Sequence, residues 1–111
     1  MIKVMPIPGT KFYEVLEDYN DYDTFIEKGF RFDGATIPPW AWRKTYTPYH
    51  PDVLESAAVH DKRCANSKNK KERRHDDWLF RKMLIEVGKV PKKTAQLMYV
   101  GVTVATTFTR I

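Results

Sequence analysis

Apolar and polar residues alternate over short stretches in the first third of the chain, as they do in half-buried β-strands. Stretches 1–5 and 12–16 carry this alternation, and stretch 24–32 has apolar residues on both sides of a break at Lys28-Gly29. The polar run 17–21 between them predicts a turn. We therefore expect about two or three short strands that include a hairpin.

Helical spacing of apolar residues begins after a loop. The segment 33–40 contains Gly34 and paired prolines, so it cannot continue a strand and predicts that loop. Apolar residues then recur three and four residues apart from Pro51 to Asn66, and Asp52 is expected to cap the start of this first helix.

Two further helices are predicted towards the end of the chain. The first covers about 71–87, with Gly88 as its expected stop, and the second covers about 91–107. The last segment is also rich in valine and threonine, which favour strands, so a terminal strand is the alternative there.

These patterns predict one α+β domain with a small N-terminal antiparallel sheet or hairpin, followed by about three C-terminal helices. The 111 residues suit one compact domain, and the 42% apolar content is enough for a core. Cys64 is the only cysteine in the sequence and excludes an intrachain disulfide, which favours a reducing compartment. The sequence contains no stretch typical of a membrane span. We therefore expect a soluble, cytoplasmic protein.

The chain carries a formal net charge of +5, much of it in one cluster at positions 68–74. Such a cluster can bind phosphate in nucleic acid or at a membrane surface, or it can form a solvated loop and helix start. The candidate phosphate- or nucleic-acid-binding residues are Lys70, Lys71, Arg73 and Arg74.

The pairs His60-Asp61 and Asp76-Asp77 fall on the first two predicted helices. In an antiparallel hairpin of these helices, His60 and Asp77 lie about eight positions from the centre of the connecting loop and face each other. A carboxylate that fixes one imidazole nitrogen leaves the other nitrogen as a base, so His60 and Asp77 are candidate catalytic residues. The alternatives are a hydrogen bond that serves only the fold, or a pair in which His75 or Asp76 replaces one partner.

Asp61 projects about 100° around the helix from His60 and is therefore a candidate metal ligand beside the base. Calcium or another divalent cation needs more oxygen ligands, and the loop that begins at Asp33 is the candidate source. Cys64 follows His60 by one helical turn, but a lone cysteine more often behaves as a small buried hydrophobic residue than as a nucleophile.

Three motifs occur in a characteristic order. They are Gly-Phe-Arg-Phe-Asp-Gly-Ala-Thr-Ile-Pro at 29–38, Ala-Ala-Val-His-Asp at 57–61, and Arg73 followed by Asp77. With these motifs the chain resembles the bacterial and phage domain-of-unknown-function family 1353 over about 25–101. Thr36 stands where the family has serine. The resemblance implies a phage or prophage protein and carries no activity with it.

The His-Asp pair followed by a distant aspartate is also similar to the core of secreted phospholipase A2. That similarity implies His60 as the residue that activates water, Asp61 as a calcium ligand and Asp77 as the residue that orients the histidine. The glycine-rich calcium loop and the disulfides of that enzyme class are missing from this sequence.

Three functional hypotheses follow. The leading one is a metal-assisted hydrolase of ester or phosphate-ester bonds, with His60 and Asp77 as the catalytic pair and Asp61 and Asp33 near the cation. The second is a non-enzymatic phage accessory protein that binds a host or virion protein, located in the host cytoplasm or on the virion. The third is nucleic-acid binding through the basic cluster.

Overall fold

The structure, a computed structural model, describes residues 2–32, 46 and 50–108. Within this part of the chain, short strands precede three helices, which confirms the predicted α+β class. The strands are β1 (Val4–Pro6), β2 (Tyr13–Val15), β3 (Tyr19–Asp21), β4 (Thr24–Ile26) and β5 (Arg31–Phe32). The helices are α1 (Pro51–Asn66), α2 (Lys70–Glu86) and α3 (Lys92–Phe108).

The strands form two small antiparallel sheets. One has the order β1-β2-β5, and the other is the β3-β4 hairpin. In the first sheet Tyr13 of β2 pairs with Pro6 on one side and with Phe32 on the other. Val15, Ile26 and Phe32 are fully buried, and β4 and β5 both contact α1. The sheets therefore place their apolar face against the first helix.

The prediction of a turn over the whole polar run 17–21 is wrong, because its second half forms β3. The turn of the hairpin lies at Tyr22 and Asp23, whose φ angles are 50° and 52°. A two-residue turn with positive φ at both positions matches the twist of the two strands it joins. Asn20 and Asp21 are polar but point to solvent, while Tyr19 is buried, so this strand carries too few apolar residues to show an alternating pattern.

The capping residues of α1 and α2 are supplied from just outside each helix. His50 caps α1, and its Nδ1 accepts a hydrogen bond from the Asp52 amide at 3.1 Å. The prediction that Asp52 is the cap is wrong because Pro51, which needs no amide partner, occupies the first helical position. Asn69 caps α2, and its side chain accepts a hydrogen bond from the Glu72 amide at 2.9 Å.

Gly88 follows the end of α2, as predicted. A glycine is required at this position because there is no room for a side chain. A Cβ atom on Gly88 would lie 2.0 Å from the backbone oxygen of Asp52. The left-handed conformation falls on the next residue, Lys89, whose φ is 57°. This close approach holds the end of α2 against the start of α1, as an antiparallel arrangement requires.

The helix α2 is the central one, since it contacts both α1 and α3. Its residues Phe80, Met83 and Leu84 form a buried stripe and belong to one core with Ala58 of α1 and Met98 of α3. The third helix continues to Phe108, which excludes the terminal strand as its alternative. None of the helices in the described ranges has the length and apolar character that a membrane crossing requires.

Candidate functional site

His60 and Asp77 meet between α1 and α2, as the helical hairpin predicts. Nε2 of His60 donates a hydrogen bond to Oδ1 of Asp77 at 2.7 Å. Each of the two side chains is only 1% exposed. The two residues lie at similar distances from the short connection between the helices, so antiparallel packing places them side by side. The bond satisfies two polar groups that would be costly to bury alone.

The surroundings of His60 favour its protonated form. Its ring lies 5.0 Å from the ring of Phe80, between centroids, and its Nε2 is 3.5 Å from Sγ of Cys64. Burial alone would lower the pKa of His60, but the hydrogen bond with Asp77 and the contact with Cys64 together raise this pKa to about 9. The physical cause is a carboxylate that stabilises the imidazolium inside the core.

Asp76 has a separate role from Asp77. Its Oδ1 accepts a hydrogen bond from Nε of Arg63 at 2.8 Å, and its Oδ2 accepts one from the hydroxyl of Ser67. Arg63 also donates through Nη1 to Oγ1 of Thr24 at 3.1 Å. This network ties the loop end of the helical hairpin to β4. It removes Asp76 as a substitute for Asp77 in the pair with His60.

His75 is not part of the buried pair either. Its side chain is exposed and stacks on Trp78 one turn along the same helix, with ring centroids 6.1 Å apart. The alternative in which His75 replaces His60 is therefore excluded by its position.

The possible metal ligands fall into two groups. Donor atoms of His60, Cys64 and Asp77 lie within 4.8 Å of one another, and all three residues are buried. Nitrogen, sulfur and carboxylate oxygen form a donor set that suits zinc better than calcium, which prefers oxygen ligands. Asp61 is half-buried and stands outside this group. Asp33, the other predicted metal ligand, lies outside the described residues.

The residues of the basic cluster differ in burial. Lys70, Lys71 and Arg74 are exposed at the start of α2, whereas Arg73 is only 7% exposed. Arg73 is therefore buried, and the four candidates do not form one continuous basic surface.

A comparison with protein families identifies the chain. Residues 12–102 match the model of a family described as "Protein of unknown function (DUF1353)". The chain belongs to the DUF1353 family. Comparisons with curated proteins and with solved structures gave no match. The phage origin and the similarity to phospholipase A2 stay predictions.

The matched region of this DUF1353 chain runs from just before β2 into α3. It therefore contains the Arg63–Asp76 network as well as the His60–Asp77 pair. Sequence reasoning missed Arg63 and Ser67. Their spacing of four residues at the end of a helix was the available signal, because residues at that spacing lie on the same face and can hold one partner together.

A groove in this DUF1353 chain lies beside the pair and does not include it. The groove has a volume of about 940 Å³ and is bounded by the β3-β4 hairpin and the neighbouring ends of α1 and α2. Its lining includes Phe25, Lys62, Asn66, Lys71 and His75, and neither His60 nor Asp77 is part of it. The groove and the buried pair are thus separate features.

Proposed function

We propose that this chain is a metal-assisted hydrolase of ester or phosphate-ester bonds in which His60 is the base and Asp77 positions it. The observation that carries the proposal is the 2.7 Å hydrogen bond from Nε2 of His60 to Asp77. An ionised carboxylate only accepts hydrogen bonds, so it holds the imidazole proton on Nε2 and makes Nδ1 the basic nitrogen. A general base of this kind takes a proton from water as the water attacks the ester.

The cation is the second part of the proposal. Asp61 follows His60 directly on α1, and its carboxylate is the proposed ligand for calcium or another divalent cation, together with Asp33. The cation would polarise the oxygen of the bond to be broken. The chain's own contribution would be the Asp61 carboxylate, one residue after the base, together with Asp33.

The test compares histidine variants in hydrolysis assays. Wild-type protein is expected to cleave chromogenic carboxylic and phosphate esters in the presence of calcium, magnesium, manganese or zinc. His60→Gln should lose about 100-fold or more in rate, which is typical for removal of a general base. His75→Gln, which changes an exposed histidine on α2, is the matched control and should keep full activity.

The pH profile gives a second readout. Since the pKa of His60 is raised to about 9, a base role predicts a rate that rises with pH up to about 9. Wild-type protein that cleaves no ester under these conditions, or a His60→Gln variant as active as wild type, would refute the hydrolase.

A second function is favoured by the burial of the pair. Because His60 and Asp77 are each 1% exposed and bonded to each other, the same geometry suits a non-enzymatic accessory protein in which the pair serves the fold. In that case His60→Gln lowers the free energy of unfolding by about 1–3 kcal/mol, because the buried hydrogen bond between the imidazole and Asp77 is lost. The folded wild-type protein would then show no hydrolytic activity.

A further inference from the structure

Arg73 is a buried cation for which the described part of the chain supplies no carboxylate partner. The residue is 7% exposed, and its Nε is shielded from solvent and makes no hydrogen bond. Among the described residues, no carboxylate oxygen lies within 4.0 Å of its side-chain nitrogens. An arginine keeps its charge under all ordinary conditions, and a buried charge without a partner is strongly unfavourable.

The position of Arg73 makes the charge more unusual. Arg73 and Asp77 are buried and extend the buried stripe of α2 towards the start of the helix. The first position of such a stripe ordinarily carries an apolar side chain. Asp77 lies one turn along, but its carboxylate accepts the hydrogen bond from His60. Asp76, the other acidic residue nearby, is bound by Arg63.

We propose that Arg73 binds a phosphate-class oxyanion supplied by a ligand from outside this chain. A guanidinium offers several N–H donors in a planar fork, and this geometry matches the oxygens of a phosphate group. Arg73 also lies near the N-terminal end of α2, where the helix dipole favours negative charge. The bound anion supplies the opposite charge and an acceptor for Nε, which has none.

The anion site also predicts which ester is the preferred substrate, and this inference rests on the proposed function. Residues four apart on a helix have Cβ atoms about 5–6 Å apart, so Arg73 lies next to the His60–Asp77 pair through Asp77. In the proposed hydrolase the oxyanion is then the phosphate group of the substrate, and phosphate esters are preferred over uncharged carboxylic esters.

The test is a titration with inorganic phosphate at constant ionic strength. Calorimetry measures the binding, and the melting temperature measures the stabilisation of the protein. Wild-type protein is expected to bind inorganic phosphate and to melt at a higher temperature in its presence. Arg73→Met keeps an apolar stem and removes the guanidinium, so it should weaken phosphate binding by about tenfold or more. Arg74→Met, which changes the exposed neighbour, is the matched control and should bind phosphate as wild type does.

The remaining outcomes are as informative. If Arg73→Met does not fold, Arg73→Lys carries the test, since it keeps the charge, loses the planar fork and should bind several-fold more weakly. Phosphate that stabilises every variant equally shows general binding to a basic surface and overturns the proposal, as does a wild-type protein that phosphate leaves unchanged.

Two further measurements identify the source of the anion and separate the anion site from the proposed hydrolase. Phenyl phosphate that binds more tightly than inorganic phosphate identifies the anion as an ester substrate, and the reverse order identifies free phosphate. His60→Gln should still bind phosphate. Loss of phosphate binding in Arg73→Met alone therefore supports the anion site even if no hydrolysis is found.

Discussion

The hydrogen bond between His60 and Asp77 predicts that the protein becomes less stable as the pH rises from neutral to alkaline. The pKa of His60 is about 9 in the folded protein and 6.5 in an unperturbed histidine. The folded state therefore holds the proton more tightly than the unfolded chain does. This contribution is complete below pH 6.5 and is lost as the pH rises through 9. At about 1.4 kcal/mol for each pH unit, the loss amounts to roughly 3 kcal/mol.

Urea unfolding of wild type and His60→Gln measures this effect. We expect the difference in unfolding free energy between the two proteins to be largest near about pH 6 and to shrink towards about pH 10. His75→Gln is the control, because His75 is exposed and should leave the pH dependence unchanged. Parallel pH profiles for wild type and His60→Gln would show that Asp77 does not stabilise an imidazolium in the folded protein.

Two other substitutions test the packing around the site. Gly88→Ala should lower the unfolding free energy by about 1–3 kcal/mol, because the new Cβ would clash with the backbone oxygen of Asp52, and an unchanged urea midpoint would contradict that close approach. Arg63→Met should cost roughly 3–5 kcal/mol, because it leaves the buried Asp76 carboxylate without its cation. The matched control is Lys62→Met, which breaks an ion pair with the more exposed Glu27 and should cost under about 1 kcal/mol; equal costs for the two variants would refute the distinction.

The sequence by itself determined the helical half of the fold and the central pair of the site. Helix periodicity is local, so the stripe of α2 and the limits of α1 follow from residues three and four apart. The antiparallel hairpin then follows from the short connection, and the distances of His60 and Asp77 from that connection place them opposite each other. These predictions needed no contact between distant parts of the chain except the one that the hairpin itself creates.

Tertiary structure decided the features that depend on distant neighbours. The polar strand β3 forms because β4 pairs with it, and the sequence of β3 alone indicated a turn. Asp76 and Asp77 are adjacent and chemically identical, but their side chains project in different directions around the helix. Asp76 therefore binds Arg63, and Asp77 binds His60. The sequence placed Arg73 in a basic cluster, and only the tertiary structure shows that its side chain is buried. A side chain's burial depends on which elements cover it, and that information is spread over the whole chain.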